Sequence, residues 1–156
     1  MARRLTLSEI PMTKPPPHPF AQDRADFDAL GARAGLYGLM KDAGAFLFTN
    51  GGQPITDSRV MRRVMTYARG FDLLVMHRAE DPLLGQGVMN ESDLSARLGL
   101  TGIPAEAETI MLQRDLALAA LTGVRYVMDM ASSARSVELL RAARKTGQSV
   151  GATVTI

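Results

Sequence analysis

The sequence predicts an α/β fold built on a sheet of parallel strands. Three observations lead to this prediction. Four short apolar segments alternate with helical patterns along the chain, the apolar segments lack the polar alternation of a half-exposed sheet, and glycines or helix caps stand at the junctions. Four such strands fit either an open doubly wound sheet or half of a (β/α)8 barrel. We assign residues 23–156 to this domain.

The individual elements follow in order after a proline-rich segment. The prolines of PMTKPPPHP fix φ and remove amide donors, so we expect residues 1–22 to be a disordered tail, with a proline-rich ligand as the alternative. Helices are predicted over 24–42, from a cap at Thr56 or Asp57 to Gly70, over Glu91–Leu98, over 105–122, and over 134–146 behind a cap at Ser132 or Ser133. Strands are predicted over 45–48, 73–76, 124–128 and 149–156. The spacing of apolar residues directs two sets toward the core: Val60, Met61, Val64, Met65 and Ala68 in the helix that ends at Gly70, and Ile110, Met111, Leu118 and Leu121 in the helix over 105–122.

The composition narrows the classes of partner. Eighteen basic and sixteen acidic residues leave a net charge of +2, and no cationic stripe or aromatic cluster indicates a nucleic-acid partner. The absence of cysteine excludes disulfides and thiolate metal sites. No apolar run is long enough to span a bilayer, and the N-terminus lacks the apolar stretch of a secretory signal. We therefore expect a cytoplasmic protein without a membrane partner.

A long loop follows the second predicted strand. It begins RAEDPLLGQG and runs about 20 residues, whereas such connections usually take about 2–6. Ordering so long a loop is costly, which predicts a functional role. Asp81 before Pro82 is typical of a turn start, and Glu80 is expected to pair with Arg78. We interpret both acidic residues first as acceptors that order the loop and only second as catalytic candidates.

Three stretches of the chain carry a resemblance to a known family. They are AGAFLFTNGGQPITDSRVMRRVMTYARGFDLLV, the RAEDP loop with GVMNESDLSARLGLTGIPAEAE, and RDLALAALTGVRYVMDMASSARSVELLRAARKTG. Together they resemble the middle of dihydroorotases, members of the amidohydrolase superfamily, over about residues 36–156. The resemblance implies a partial (β/α)8 TIM barrel of about four βα units. It also implies zinc at the barrel mouth of active members, which interconvert N-carbamoyl-aspartate and dihydroorotate in pyrimidine biosynthesis.

The residues that this resemblance places at the metal site do not match the family pattern. The His-x-His signature has no counterpart, since the only histidines are His18 and His77. An acidic turn residue is replaced by Asn50, and two metal-binding histidines correspond to Arg78 and Met130. His77 is one position from the expected place, so it would need a local bulge to reach the site. We therefore predict no catalytic residue, no cofactor and no intact metal site, with His77 as a weak candidate.

Three functional hypotheses follow. The first is a dihydroorotase-family protein without independent catalysis, a pseudoenzyme that assembles with aspartate carbamoyltransferase or self-associates, as the resemblance to inactive homologues implies. The second is a truncated piece of an active zinc-dependent enzyme, an expectation favoured by the strand that reaches Ile156. The third is an unrelated small α/β domain that uses the turn Thr49–Gly52 to bind an anion, although this turn lacks the lysine and spacing of a phosphate loop.

Overall fold

The computed structural model describes residues 44–49 and 52–154. The predicted tail at 1–22, the predicted helix at 24–42 and Asn50 lie outside these residues. The described elements, in chain order, are β1 (Leu47–Thr49), α1 (Ser58–Gly70), β2 (Leu74–His77), β3 (Met89–Asn90), α2 (Asp93–Leu98), β4 (Gly102–Ile103), α3 (Glu106–Thr122), β5 (Arg125–Ala131), α4 (Ala134–Lys145) and β6 (Val150–Val154).

Four strands form one parallel sheet in the order β1-β2-β5-β6, with a helix in each connection. This arrangement confirms the predicted alternation of strands and helices and the parallel pairing. The strand boundaries differ slightly from the prediction, because β1 ends at Thr49 and β5 continues to Ala131. A second, two-stranded parallel sheet formed by β3 and β4 was not predicted, since two-residue strands leave no periodic pattern.

The helix starts follow the capping residues in the sequence. The Asp57 side chain accepts a hydrogen bond from Arg59 N at the start of α1, and the Ser133 side chain accepts one from Ser136 N at the start of α4. The inward side of α1 is Met61, Val64, Met65 and Ala68, all buried against the sheet and the neighbouring α3, as expected from their spacing. Of the helices in the described part of the chain, none has the length and apolar character needed to cross a membrane.

The core prediction for α3 was partly wrong. Ile110 and Leu121 were expected to face the core, but they are 51% and 64% exposed. Met111 is buried and Leu118 packs partly buried against the core, both as predicted. The other buried apolar residues of the helix were not singled out from the sequence: Ala107, Leu112, Leu116 and Ala119. The reason is that apolar residues surround α3 on all sides, so their spacing does not identify one inward face.

Candidate functional site

A cleft of about 310 Å³ lies where β2 and β5 end. Arg78 and Glu80 line it after β2, and Met130, Ser132 and Ser133 line it at the end of β5. The remaining lining residues are Asn90, Glu91, Ile103, Pro104, Ala105, Ala107 and Glu108. The carboxyl ends of parallel strands are where α/β proteins place their ligand sites. The cleft therefore brings together two of the three positions at which the resemblance implied lost metal ligands.

Arg78 occupies its side of the cleft as one partner of an ion pair. Its Nε donates to Oε2 of Glu80 at 2.7 Å, and its Nη2 lies 2.7 Å from the same oxygen. The expected turn is also present, because Oδ1 of Asp81 accepts hydrogen bonds from the amides of Leu83 and Leu84. In addition, the Asp81 amide donates to the carbonyl of Ala107 at 2.7 Å. Both acidic residues thus have the loop-ordering contacts that the sequence predicts.

Met130 reaches the cleft because β5 is irregular at its end. The register between β5 and β6 shifts between Met128 and Ala131, and Met130 has φ of 59°, an uncommon value for a residue other than glycine. The Met130 amide donates to Oγ1 of Thr153 at 2.8 Å, and that hydroxyl donates to Oδ1 of Asp129 at 2.7 Å. This bulge directs a thioether, which is a soft and neutral ligand, into the cleft.

Glu108 joins the two loops of the cleft, a role that no sequence pattern indicated. Its carboxylate, in the first turn of α3, accepts hydrogen bonds from the amides and hydroxyls of both Ser132 and Ser133. Burial alone raises the pKa of Glu108, but the hydrogen bonds from Ser132, Ser136 and Ser133 outweigh it and hold the pKa below its ordinary value. The carboxylate also lies at the N-terminus of α4, where negative charge is favoured.

His77 does not reach the cleft. It is almost fully buried, and the pairing of β2 with β5 continues regularly through His77 and Met128, so the bulge that would have moved it toward the site is absent. Its Nε2 accepts from the Ile55 amide at 2.8 Å, and its Nδ1 lies 2.6 Å from Oδ2 of Asp115. Since an amide can only donate, the ring proton is on Nδ1. Both nitrogens are engaged in the core, and the role of His77 as a weak metal candidate stays a prediction.

Asp115 is the centre of this buried network. Besides His77, its Oδ2 accepts from the Tyr126 hydroxyl at 3.0 Å, and its Oδ1 accepts from Nε and Nη2 of Arg114 at 2.9 and 2.7 Å. Arg114 also donates to the carbonyl of Thr56 at 3.0 Å. Burial, together with the nearby Asp115 charge, raises the pKa of Tyr126 well above its ordinary value. The network therefore ties β2, α3 and β5 to the loop before α1.

The long loop forms a fixed wall of the cleft. Gly87 and Gly102 are in such close contact with their surroundings that an added Cβ would lie 2.6 Å from Ile103 and from the Glu91 Cα, respectively. Ser92 and Ser95 form a reciprocal capping box at the start of α2. The predicted order of this loop is thus supported by close backbone packing, although the sheet of β3 and β4 contributes only two residues per strand.

The cleft residues do not fit a binuclear zinc site. Zinc in proteins takes histidine nitrogen, cysteine sulfur or carboxylate oxygen, whereas Arg78 is a permanent cation and Met130 offers a thioether. Glu80 is paired with Arg78, and Glu108 already accepts hydrogen bonds from two serines. Within residues 44–49 and 52–154, no group of three His, Cys, Asp or Glu side chains is arranged to hold a metal ion. Asn50, the third position, is outside the described residues.

The fold is similar to that of solved hydantoinases. D-hydantoinase from Bacillus sp. AR9 superposes with a TM-score of 0.61 at 20% identity, over 80% of this chain and 29% of that one. L-hydantoinase from Arthrobacter aurescens gives a TM-score of 0.60 at 19% identity, over 78% of this chain and 29% of that one. These likenesses show the fold alone. They confirm the predicted partial (β/α)8 barrel for the parallel sheet and its helices.

The family follows from sequence comparison. A family model described as Dihydro-orotase-like matches residues 31–136. The dihydroorotase of Desulfotalea psychrophila is 47% identical over 117 residues, which are 74% of this chain and 28% of the relative. The dihydroorotase of Syntrophobacter fumaroxidans is 45% identical over 117 residues, which are 74% of this chain and 27% of the relative. The chain belongs to the dihydroorotase-like family, which excludes the hypothesis of an unrelated small domain. It spans little more than a quarter of the length of these curated relatives.

Proposed function

We propose that this chain is a dihydroorotase-family protein of pyrimidine biosynthesis that has no catalysis of its own. In this proposal it works in the cytoplasm as an assembly subunit, bound to aspartate carbamoyltransferase or to further copies of itself. Its own site would need neither zinc nor another cofactor. The barrel would then be a scaffold, and its outer surfaces would carry the function.

One observation carries the proposal: Arg78 and Met130 line the same cleft at the ends of neighbouring strands. These are the positions at which the resemblance implies metal-binding histidines. A guanidinium in place of one ligand would repel a dication, and its ion pair with Glu80 neutralises a carboxylate that could otherwise approach a metal. His77 offers no substitute, because its nitrogens bind Ile55 and Asp115 in the core.

The catalytic part of the proposal is tested by assaying the purified chain for cyclisation of N-carbamoyl-aspartate with added Zn²⁺. The dihydroorotase of Desulfotalea psychrophila provides the active control under the same conditions. We expect no turnover above background and no stoichiometric zinc by atomic absorption after dialysis. Turnover that follows the metal content would overturn this part.

The assembly part is tested by mixing the chain with aspartate carbamoyltransferase and measuring the mass of the product by size-exclusion chromatography with light scattering. We expect a complex with a fixed ratio of the two chains, or a defined oligomer of this chain alone. A monomer that remains a monomer in both experiments would contradict the proposal.

A second function is favoured by the high identity to dihydroorotases. At 40–47% identity over about 120 residues, the chain could be one segment of a longer cyclic amidohydrolase whose remaining ligands lie elsewhere. This alternative requires zinc binding despite Arg78 and Met130. Sequencing the genomic DNA on both sides of the coding region distinguishes the two cases. A continuous frame that encodes the His-x-His strand and a catalytic aspartate would favour the alternative.

A further inference from the structure

Beyond its first turn, where the exposed Glu106 pairs with Arg135, helix α3 has an outward stripe without charged side chains. Its first four members follow one another at three or four residues, the fifth lies four residues after Ala117, and all five are exposed: Ile110, Gln113, Ala117, Ala120 and Leu121. The neighbouring Arg114 does not interrupt the stripe, because its guanidinium turns inward to Asp115 and the Thr56 carbonyl. Surface helices usually carry charged residues on the outward side, so an uncharged stripe with a large aliphatic residue at each end indicates a contact surface.

Two arginines of α1 border this stripe. Arg62 and Arg69 are exposed and seven residues apart, so they lie on the same side of α1. The Arg69 side chain lies beside Gly123, the residue that follows α3. A Cβ atom added to Gly123 would be 3.6 Å from Nε of Arg69, which is an ordinary contact distance. Neither arginine forms an ion pair with another described residue. The helical layer therefore presents an apolar stripe with a cationic border that forms no ion pair within residues 44–49 and 52–154.

We propose that the α3 stripe and its arginine border are a docking surface for a different protein, one whose face has an apolar centre and carboxylates along one edge. This inference rests on the proposed assembly function and names the surface that performs it. Apolar anchors at the centre of an interface supply most of its affinity, and complementary charges at the rim set its orientation and rate of association.

A second copy of this chain fits the surface poorly. A two-fold axis that packs two α3 helices antiparallel places α1 opposite α1, so that arginines face arginines. A two-fold axis parallel to α3 places α1 opposite α4, the other neighbour of α3, whose exposed C-terminal half carries Arg141, Arg144 and Lys145. Both symmetric arrangements bring cations together, whereas an acidic partner neutralises them.

The long loop offers a competing apolar surface and provides the matched control. Leu94 and Leu98 of α2 are 54% and 58% exposed, close to the values for Ile110 and Leu121, and Arg97 lies between them. One double variant, Ile110→Ser with Leu121→Ser, removes the apolar anchors. A second, Arg62→Glu with Arg69→Glu, reverses the border charge. The control, Arg97→Glu with Leu98→Ser, makes equivalent changes on α2.

The test is titration of labelled full-length chain with the catalytic subunit of aspartate carbamoyltransferase, at low and high salt. We expect each α1 or α3 variant to weaken binding about tenfold or more, and the control to stay within about twofold. The charge-reversed variant should also lose the salt dependence of the unmodified chain. All substituted side chains are exposed, and far-UV circular dichroism verifies that the variants fold.

The possible outcomes separate the surface from the assembly function. Binding that is lost in the α2 control but kept in the α1 and α3 variants overturns the surface and leaves the assembly function standing. If none of the three double variants changes binding, the proposed surface is also wrong and the assembly function still stands. If the unmodified chain forms a dimer and the α3 variant does not, the partner of this surface is a second copy of the chain and not an acidic protein. No binding of the unmodified chain to the subunit overturns the docking surface, and it overturns the assembly function as well only if the chain also remains a monomer on its own.

Discussion

His77 and Arg78 are adjacent residues at the end of β2, yet they belong to different regions of the molecule. The His77 side chain is 1% exposed and is held between Ile55 and Asp115 in the core. The Arg78 side chain is 39% exposed, faces the cleft and has Glu80 as its ion-pair partner. Successive side chains of a strand point to opposite faces of the sheet. Moving a histidine by one position therefore turns a possible metal ligand into part of the core.

The two regions also differ in how their polar groups are satisfied. In the core network, every polar atom of His77 and Asp115 has a partner in a setting without water. Removing one member there leaves others buried without partners, which is costly. In the cleft, water can replace a lost partner of Arg78. The core network should therefore tolerate substitution much less than the cleft, and the following predictions test this difference in order of expected effect.

Substituting Asp115 with alanine should produce the largest loss of stability. His77, Arg114 and the Tyr126 hydroxyl would all lose the same acceptor, and the part-buried guanidinium of Arg114 would lose its ion pair. We expect the free energy of unfolding to fall by about 3–5 kcal/mol, measured by urea denaturation. The control is Asp93→Ala, which removes an exposed carboxylate of α2. Equal effects of the two substitutions would contradict the central role of Asp115.

Replacement of His77 with leucine should cost about 2–3 kcal/mol, because the Ile55 amide and one oxygen of Asp115 lose their partner while the buried volume is largely kept. Thermal denaturation followed by circular dichroism measures the effect. Met76→Leu, on the opposite face of the same strand, is the control and should change stability by less than about 1.5 kcal/mol. A His77→Leu variant as stable as the control would show that the network contributes little.

Replacement of Glu108 with alanine should cost about 1–2 kcal/mol, since it frees the amides and hydroxyls of Ser132 and Ser133 at a half-buried helix start. The pKa of Glu108 is lowered in the folded chain, so its contribution is present above its ordinary value of 4.5 and is lost as the pH falls through the folded value. Glu108→Gln should therefore be less sensitive to acid than the unmodified chain when unfolding is measured between about pH 5 and 3. An unchanged acid dependence would refute this assignment.

The sequence allowed the parallel sheet, the helix starts and the cleft positions to be predicted, because each depends on local signals. Examples are the cap at Asp57 and the turn at Asp81, whose side chains bond amides two or three residues away. The assignment of Arg78 and Met130 to the positions of two metal-binding histidines follows from the family resemblance. Their position in one cleft was then implied by the ends of parallel strands.

Other features could not be predicted, because they depend on contacts between distant residues. Glu108 contacts Ser132 across 24 positions, and His77 contacts Asp115 across 38. The sequence signal for Asp115 was a charged pair, Arg114 and Asp115, in the middle of a mostly apolar helix. Ile110 and Leu121 were placed in the core because an apolar helix gives no preferred side, and that error reveals the outward stripe of α3.

Replacement of Tyr126 with phenylalanine should reduce stability by about 1 kcal/mol near neutral pH, because it removes one hydrogen bond to Asp115 and keeps the ring. The pKa of Tyr126 is raised in the folded chain, so stability is fully present below the ordinary value of 10.0 and decreases as the pH rises above it. The phenylalanine variant should lose part of this alkaline decrease. Urea unfolding at pH 8 and at about pH 10.5 measures both effects, and parallel curves for the two proteins would contradict the assignment.

Replacement of Arg78 with glutamine should have the smallest effect, less than about 0.5 kcal/mol. The ion pair with Glu80 is partly exposed, and surface pairs contribute little because water and salt screen them. Glutamine keeps much of the side-chain length, so the cleft wall is preserved. Urea denaturation beside the His77→Leu variant gives the direct comparison of neighbouring positions. If Arg78→Gln destabilised the chain as much as His77→Leu, Arg78 would be a structural member of the fold, and the division between core and cleft along β2 would be wrong.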